Sequence, residues 1–147
     1  MGTHKDIVIN SQCIAILDTS ILLLIAQNLV KLDNVFATIE SCTPVIPIHV
    51  LNELKKLSLK PTEKGRLALW VLNNIAGKLN IIYDEVPDCK VDEVDCVIIQ
   101  LSKKLSKSTR VAVLTADNEL KKLLVENGIE VLWYRKAKNK LEPSFFI

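Results

Sequence analysis

The sequence predicts a three-layer α-β-α domain on a mainly parallel central sheet. Three observations carry this prediction. Short apolar runs bounded by polar residues alternate with segments of helical periodicity. The runs are continuous rather than alternating, as in strands buried on both faces. At 147 residues the chain is long enough for one sizeable core and short for two.

Ile7, Val8 and Ile9 suggest a short extended lead-in, and the first firm strand is the apolar run 13–17. Helical patterns over 21–32 and 35–41 fill the first interval, followed by a strand over 44–48. Pro47 cannot donate to a ladder, which places it on an edge strand or at a strand end. Val50, Leu54 and Leu57 mark a helix over 49–59. Thr62 then caps a helix carrying Leu67, Leu69, Trp70, Leu72 and Ile75 and ending near Gly77, with Trp70 read as core. After a strand at 80–83, Val91, Val94, Ile98, Leu101 and Leu105 recur at spacings of three and four, the clearest helical stripe in the chain. A strand at 111–114, a helix at 118–126 stopped by Asn127-Gly128, and a strand at 130–134 complete the pattern. The chain divides into a leader or lead-in over 1–10, one domain over 11–136, and a basic then apolar tail over 137–147.

The hydrophobic fraction of 49% is carried by Leu, Ile and Val rather than by aromatics. This surplus predicts that some apolar surface is covered by a partner or a second copy, with a homodimer expected. No apolar run approaches the roughly 18 residues that suggest a membrane span, and the start lacks the order of a signal peptide. The chain therefore reads as a soluble, cytoplasmic protein without membrane association. Four scattered cysteines form no Cys-x-x-Cys pair, and the only histidines are His4 and His49, so zinc is disfavoured and the thiols are expected to be reduced. A net charge of +2 neither demands nor excludes nucleic acid.

Four acids, Asp18, Glu53, Asp95 and Asp117, stand at the edges of apolar segments. Asp18 and Asp117 closely follow strands, and ligands of open parallel sheets bind outside the carboxyl ends of the strands. Glu53 lies three residues after Val50 and four before Leu57, so it borders a buried stripe; Asp95 is placed similarly before Ile98. Asp92, three residues before Asp95, shares its face and is an alternative ligand. Singly, these acids have simpler roles as helix caps, dipole partners or solvated residues. As a set they repel one another, and a hard divalent cation relieves that repulsion.

The chain resembles a PIN domain, a family of small metal-dependent nucleases. The resemblance rests on Leu17-Asp18-Thr19-Ser20, Asn52-Glu53-Leu54, Asp95-Cys96-Val97-Ile98, and the segment from Leu114 through Thr115, Ala116 and Asp117 to Leu120, in that order. It implies that Asp18, Glu53, Asp95 and Asp117 carry a catalytic metal site, with Thr19, Ser20 and Thr115 supplying hydroxyls around it. Cys96 stands where several relatives have a second acid, which leaves the ligand set on that helix open. Oxygen ligands suit Mg²⁺ or Mn²⁺, which support in-line displacement at phosphorus. RNA is the substrate the resemblance implies. It leaves two biological roles, a toxin paired with an antitoxin or a nuclease working with the ribosomal RNA processing machinery.

Lys55, Lys56 and Lys60 with Lys64 and Arg66, and Arg135 and Lys136 with Lys138 and Lys140, are the clusters best suited to hold RNA phosphates; Lys103 to Arg110 and Lys121-Lys122 are further candidates. Trp133 and Tyr134 suit core, interface or base stacking. A non-cleaving RNA-binding or scaffold protein on the same fold is the competing reading. A phosphoacceptor domain wants paired acids after the first strand, and a two-aspartate phosphatase wants an acid where Ser20 stands. An NTPase wants a Gly-x-x-x-x-Gly-Lys loop that the sequence lacks.

Overall fold

All five residues of β1 (Cys13–Leu17) are buried, as expected for a central strand covered on both faces. The structure is a computed structural model and describes residues 13–39, 42–90, 93–135 and 140–143. β1 pairs in parallel with β2 (Thr43–Pro47) on one side and β4 (Arg110–Thr115) on the other. β3 (Asn80–Ile82) lies outside β2, and β5 (Glu130–Arg135) outside β4, both parallel. β6 (Lys140–Pro143) adds the sole antiparallel pairing among the described residues, giving the order β3-β2-β1-β4-β5-β6. The mainly parallel sheet agrees with the sequence. The sixth strand extends the sheet into a segment that the sequence suggested was a tail.

The chain steps outward from β1 to β2 through α1 (Thr19–Ala26) and α2 (Leu32–Thr38), then to β3 through α3 (Ile48–Ser58), α4 (Glu63–Asn74) and a 3-10 turn, Ala76–Lys78. It returns to β4 through α5 (Val94–Leu105) and reaches β5 through α6 (Asn118–Glu126). Right-handed crossovers in opposite directions place these two helix groups on opposite faces of the sheet. The direction reverses between β1 and β4, so the crevice beyond their carboxyl ends is the topological switch point.

Several local expectations hold. Thr62 caps α4 by accepting from Gly65 N at 3.0 Å, and Gly128, at φ 74°, ends α6 in the left-handed conformation that favours glycine. Pro47 closes β2 at a strand end, although β2 is internal. Ile7 to Ile9 and Val91 lie outside the described residues.

Other expectations are corrected. The first helix stops at Ala26 rather than at 32, because Asn28 adopts φ 61° and breaks the helical path; Leu32 instead opens α2. Trp70 is 44% exposed, since α4 buries Gly65, Ala68 and Val71 and turns Leu69 and Trp70 outward. The cysteines are paired, Cys13 with Cys42 and Cys89 with Cys96. Parallel register explains the first pair: Ile14 stands opposite Thr43, which brings the preceding residues Cys13 and Cys42 to a Cα separation of 4.4 Å.

α4 approaches the end of α3 closely at Gly65. A Cβ there would lie 2.1 Å from the Lys60 carbonyl oxygen and 2.8 Å from that of Leu57. Both are backbone atoms that cannot swing aside. Gly65→Ala is therefore expected to destabilise the fold by about 1–3 kcal/mol, and an unchanged Tm would show that the elbow yields without cost.

Candidate active site

Asp18 is the first residue beyond β1, and its N–H still donates to the Leu114 carbonyl of β4 at 3.2 Å. Its carboxylate turns back to cap α1, with Oδ1 accepting from Ile21 N at 3.0 Å and from Ser20 Oγ at 2.7 Å. Oδ2 accepts from Thr115 Oγ1 at 2.6 Å. These donors favour the ionised carboxylate, but burial outweighs them: Asp18 is 4% exposed and its pKa is pushed up to about 6. Desolvation is the main cause, and the negative charge of Asp117 adds to it.

The hydroxyl shell is itself fixed by the β4–α6 turn. Ser20 Oγ accepts from Ala116 N at 3.0 Å, and Thr115 Oγ1 accepts from Asp117 N at 2.9 Å. Ser20 and Thr115 thus lock the Asp18 side chain to the chain segment that carries Asp117. Thr19 serves a different acid, donating to Glu53 Oε1 across from α3.

Asp117 combines the capping role with its place at the crevice. Its Oδ1 accepts from Glu119 N at 2.9 Å and Leu120 N at 3.1 Å, while Oδ2 accepts no hydrogen bond among the described residues. Glu53 likewise keeps Oε2 free of such donors. Asp95, in the first turn of α5, has its pKa raised by partial desolvation of the carboxyl and then by the charges of Asp117, Glu53 and Glu119.

Asp18, Glu53, Asp95 and Asp117 line one open cavity of about 410 Å³ together with Thr19 and Ser20. The four elements at the switch point therefore bring the predicted acids to the same place. Among the described residues, no three carboxylate, His or Cys groups close into a ready-made cation cage. Asp92 lies outside the described residues. The donor set is all oxygen, and Lys64 is the one cationic residue lining the cavity among the described residues, so the negative charge there is largely uncompensated.

At the level of sequence families, a model of the PIN-like domain matches residues 15–137. The chain belongs to the PIN-like domain family. PIN-like domains are, as a class, of nuclease type. A domain of a functionally unknown protein from Methanocaldococcus jannaschii DSM 2661 has the same fold, with a TM-score of 0.59 and 21% identity over 90% of this PIN-like domain chain and 97% of that one. No curated protein matches the chain.

In this PIN-like domain, Lys55, Lys56 and Lys60 are exposed at and beyond the last turn of α3, and none of the three lines the acidic cavity. Arg135 ends β5, and its side chain, like Lys136, lies outside the described residues. Lys121 is only 8% exposed and stacks its Nζ 3.6 Å from the centroid of the half-buried Trp133 ring, so each occupies the other. Two participants escaped the assignment from sequence. Lys64 was one basic residue in a cluster, and Glu119 was part of a motif without a role; tertiary placement brings the first to the cavity and the second into the field at Asp95. Among the described residues, no helix is long and apolar enough to cross a membrane.

Proposed function

We propose that this PIN-like domain is a metal-dependent endoribonuclease that hydrolyses RNA phosphodiester bonds. The observation that supports this most is the cavity at the switch point, where four carboxylates from four elements face one another with little compensating charge. Asp18, Glu53, Asp95 and Asp117 would hold Mg²⁺ or Mn²⁺, with Asp92 as an alternative; the ion supplies charge neutralisation and lowers the pKa of an attacking water. Ser20 and Thr115 fix the direction of the Asp18 carboxylate, and Thr19 fixes that of Glu53. Lys64 offers a counter-charge for substrate phosphate at the cavity wall.

The test is cleavage of single-stranded RNA with added Mn²⁺ or Mg²⁺ and its loss in EDTA. Direct attack by water leaves 5′-phosphate and 3′-hydroxyl ends. Cyclic 2′,3′-phosphate products would mean attack by the RNA's own 2′-hydroxyl and reject the mechanism. Binding without cutting would favour the non-cleaving RNA-binding or scaffold reading. A toxin neutralised by an antitoxin and a nuclease of ribosomal RNA processing both fit this chemistry. Inhibition by the product of an adjacent small gene separates them.

If Lys55, Lys56, Lys60 and the segment from Arg135 contact phosphates, RNA affinity falls steeply with salt. About four contacts to a single strand give a slope of log K against log[salt] near roughly −3. Replacing Lys55 and Lys56 together with Ala is expected to flatten that slope by about 1–1.5 while leaving metal affinity intact. An unchanged slope would place the RNA path elsewhere, with the Lys103 to Arg110 face next to examine.

Self-association follows from the apolar surface: Leu59 is 85% exposed, and Leu69 and Leu123 are 47% and 42% exposed. A homodimer is expected in sedimentation at micromolar concentration. A persistent monomer would count against it.

A further inference from the structure

A second cavity, of about 370 Å³, lies beside the acidic one. Its apolar floor includes Ile25, Val30 and Ile75, all at most 7% exposed, and its wall is Trp70. Lys31 and Lys78 also line it, and neither forms an ion pair among the described residues. Asp33 supplies the one negative charge against these two lysines.

The two cavities are consecutive along shared elements. Lys64 and Leu67 of α4 line the acidic cavity, and Trp70 and Asn74 line the second. Steps of three and four carry these residues from one side of the helix towards the next, with Trp70 about 9 Å along the axis and about 120° around it from Lys64. At the end of α1, Gln27 borders the first cavity and Asn28 the second. A strand leaving the acidic cavity along α4 therefore meets an aromatic face and two cations without an ion pair among the described residues.

We propose that this second cavity is a subsite for single-stranded RNA flanking the bond to be cut, in which a base stacks on Trp70 and the adjoining phosphates contact Lys31 and Lys78. The proposal rests on the ribonuclease reading, since that reading supplies the strand. An aromatic platform between cations holds single strands without reading their sequence, because every base has a stacking face. Asn74 donates to the Trp70 carbonyl at 2.9 Å, which leaves its own side-chain oxygen for a base amino group. Trp70 is 44% exposed and contributes little to the core, which leaves its ring available to stack.

The test uses Asp18→Asn as the uncut background and fluorescence anisotropy of labelled single-stranded RNA. Adding Trp70→Ala is expected to weaken binding of a strand of about eight nucleotides by roughly 5-fold or more. Trp70→Phe should restore most of that affinity, and a dinucleotide confined to the acidic cavity should be insensitive to either substitution of Trp70. Lys31→Ala with Lys78→Ala should flatten the salt slope by about 1.4. Equal affinity for the longer strand with and without Trp70→Ala, alongside EDTA-sensitive cleavage by the unmutated chain, overturns the subsite and leaves the nuclease reading standing. Trp70-dependent binding by a chain that never cuts overturns the nuclease reading, and with it the place of this face beside a bond to be cut, while keeping Trp70 as an RNA contact. If Trp70→Ala converts a dimer to a monomer in sedimentation while RNA affinity is unchanged, the face belongs to a second copy and the proposal fails.

Discussion

Asp18→Asn is expected to lower metal-dependent RNA cleavage by about 10²-fold or more, the usual cost of removing one preorganised electrostatic group from an active site. The fold should survive the change. The amide oxygen can still accept from Ser20 Oγ and Ile21 N, while the amide nitrogen donates to Thr115 Oγ1. Thr115 then has its own proton free for Ser20 Oγ, which stands 3.3 Å away. What is lost is one negative charge facing the cavity, and with it part of the affinity for Mg²⁺ or Mn²⁺. Glu53→Gln and Asp95→Asn should show losses of similar size. Calorimetric titration of Mn²⁺ separates failure to bind metal from failure of chemistry. Wild-type rates and metal affinity in Asp18→Asn would remove Asp18 from the site.

The second large effect is on stability in the metal-free protein. The Asp18 pKa rises from 3.8 to about 6 on folding, so the folded state holds the proton more tightly than the unfolded chain. The corresponding contribution to stability is fully present below pH about 3.8 and is lost as pH rises through about 6. A shift of this size corresponds to about 3 kcal/mol at neutral pH. Asp18→Asn should therefore melt higher than the parent at pH 7 to 8 in EDTA, with the difference shrinking towards pH 4. Metal should reverse the order, because its binding needs the ionised carboxylate and releases the proton. Thermal melts of both proteins across this range, with and without Mn²⁺, measure it. Parallel pH profiles for the two would show that Asp18 does not titrate in this window.

The sequence made the sheet and its acids legible for a physical reason. Buried parallel strands need continuous apolar runs, and the residues just beyond their carboxyl ends, here Asp18 and Asp117, are placed by the backbone alone. Thr62 and Asn127-Gly128 were readable because caps are local chemistry. Trp70 was not, because α4 selects its buried face by small residues at Gly65 and Ala68, while the eye follows size. The Cys13–Cys42 pair was hidden because strand register, not spacing along the chain, brings its members together. Lys64 and Glu119 were ordinary charges until the fold set Lys64 in the cavity wall and Glu119 in the field of Asp95. Asp92 and Lys136 lie outside the described residues.

The short antiparallel β6 has a consequence for how the protein avoids aggregation. Its partner β5 is six residues long and carries Val131, Leu132, Trp133 and Tyr134 in succession. Left as the last strand, β5 would offer a row of unsatisfied amides and carbonyls along one of the most β-prone segments in the chain, a template for edge-to-edge addition of other molecules. β6 occupies that row with four residues that include a proline, which has no N–H to pass on. At the opposite margin, β3 is only three residues long and presents little to copy. Among the described residues, both borders of the sheet are thus poor acceptors of a further strand, and the association proposed above would use the helical faces instead.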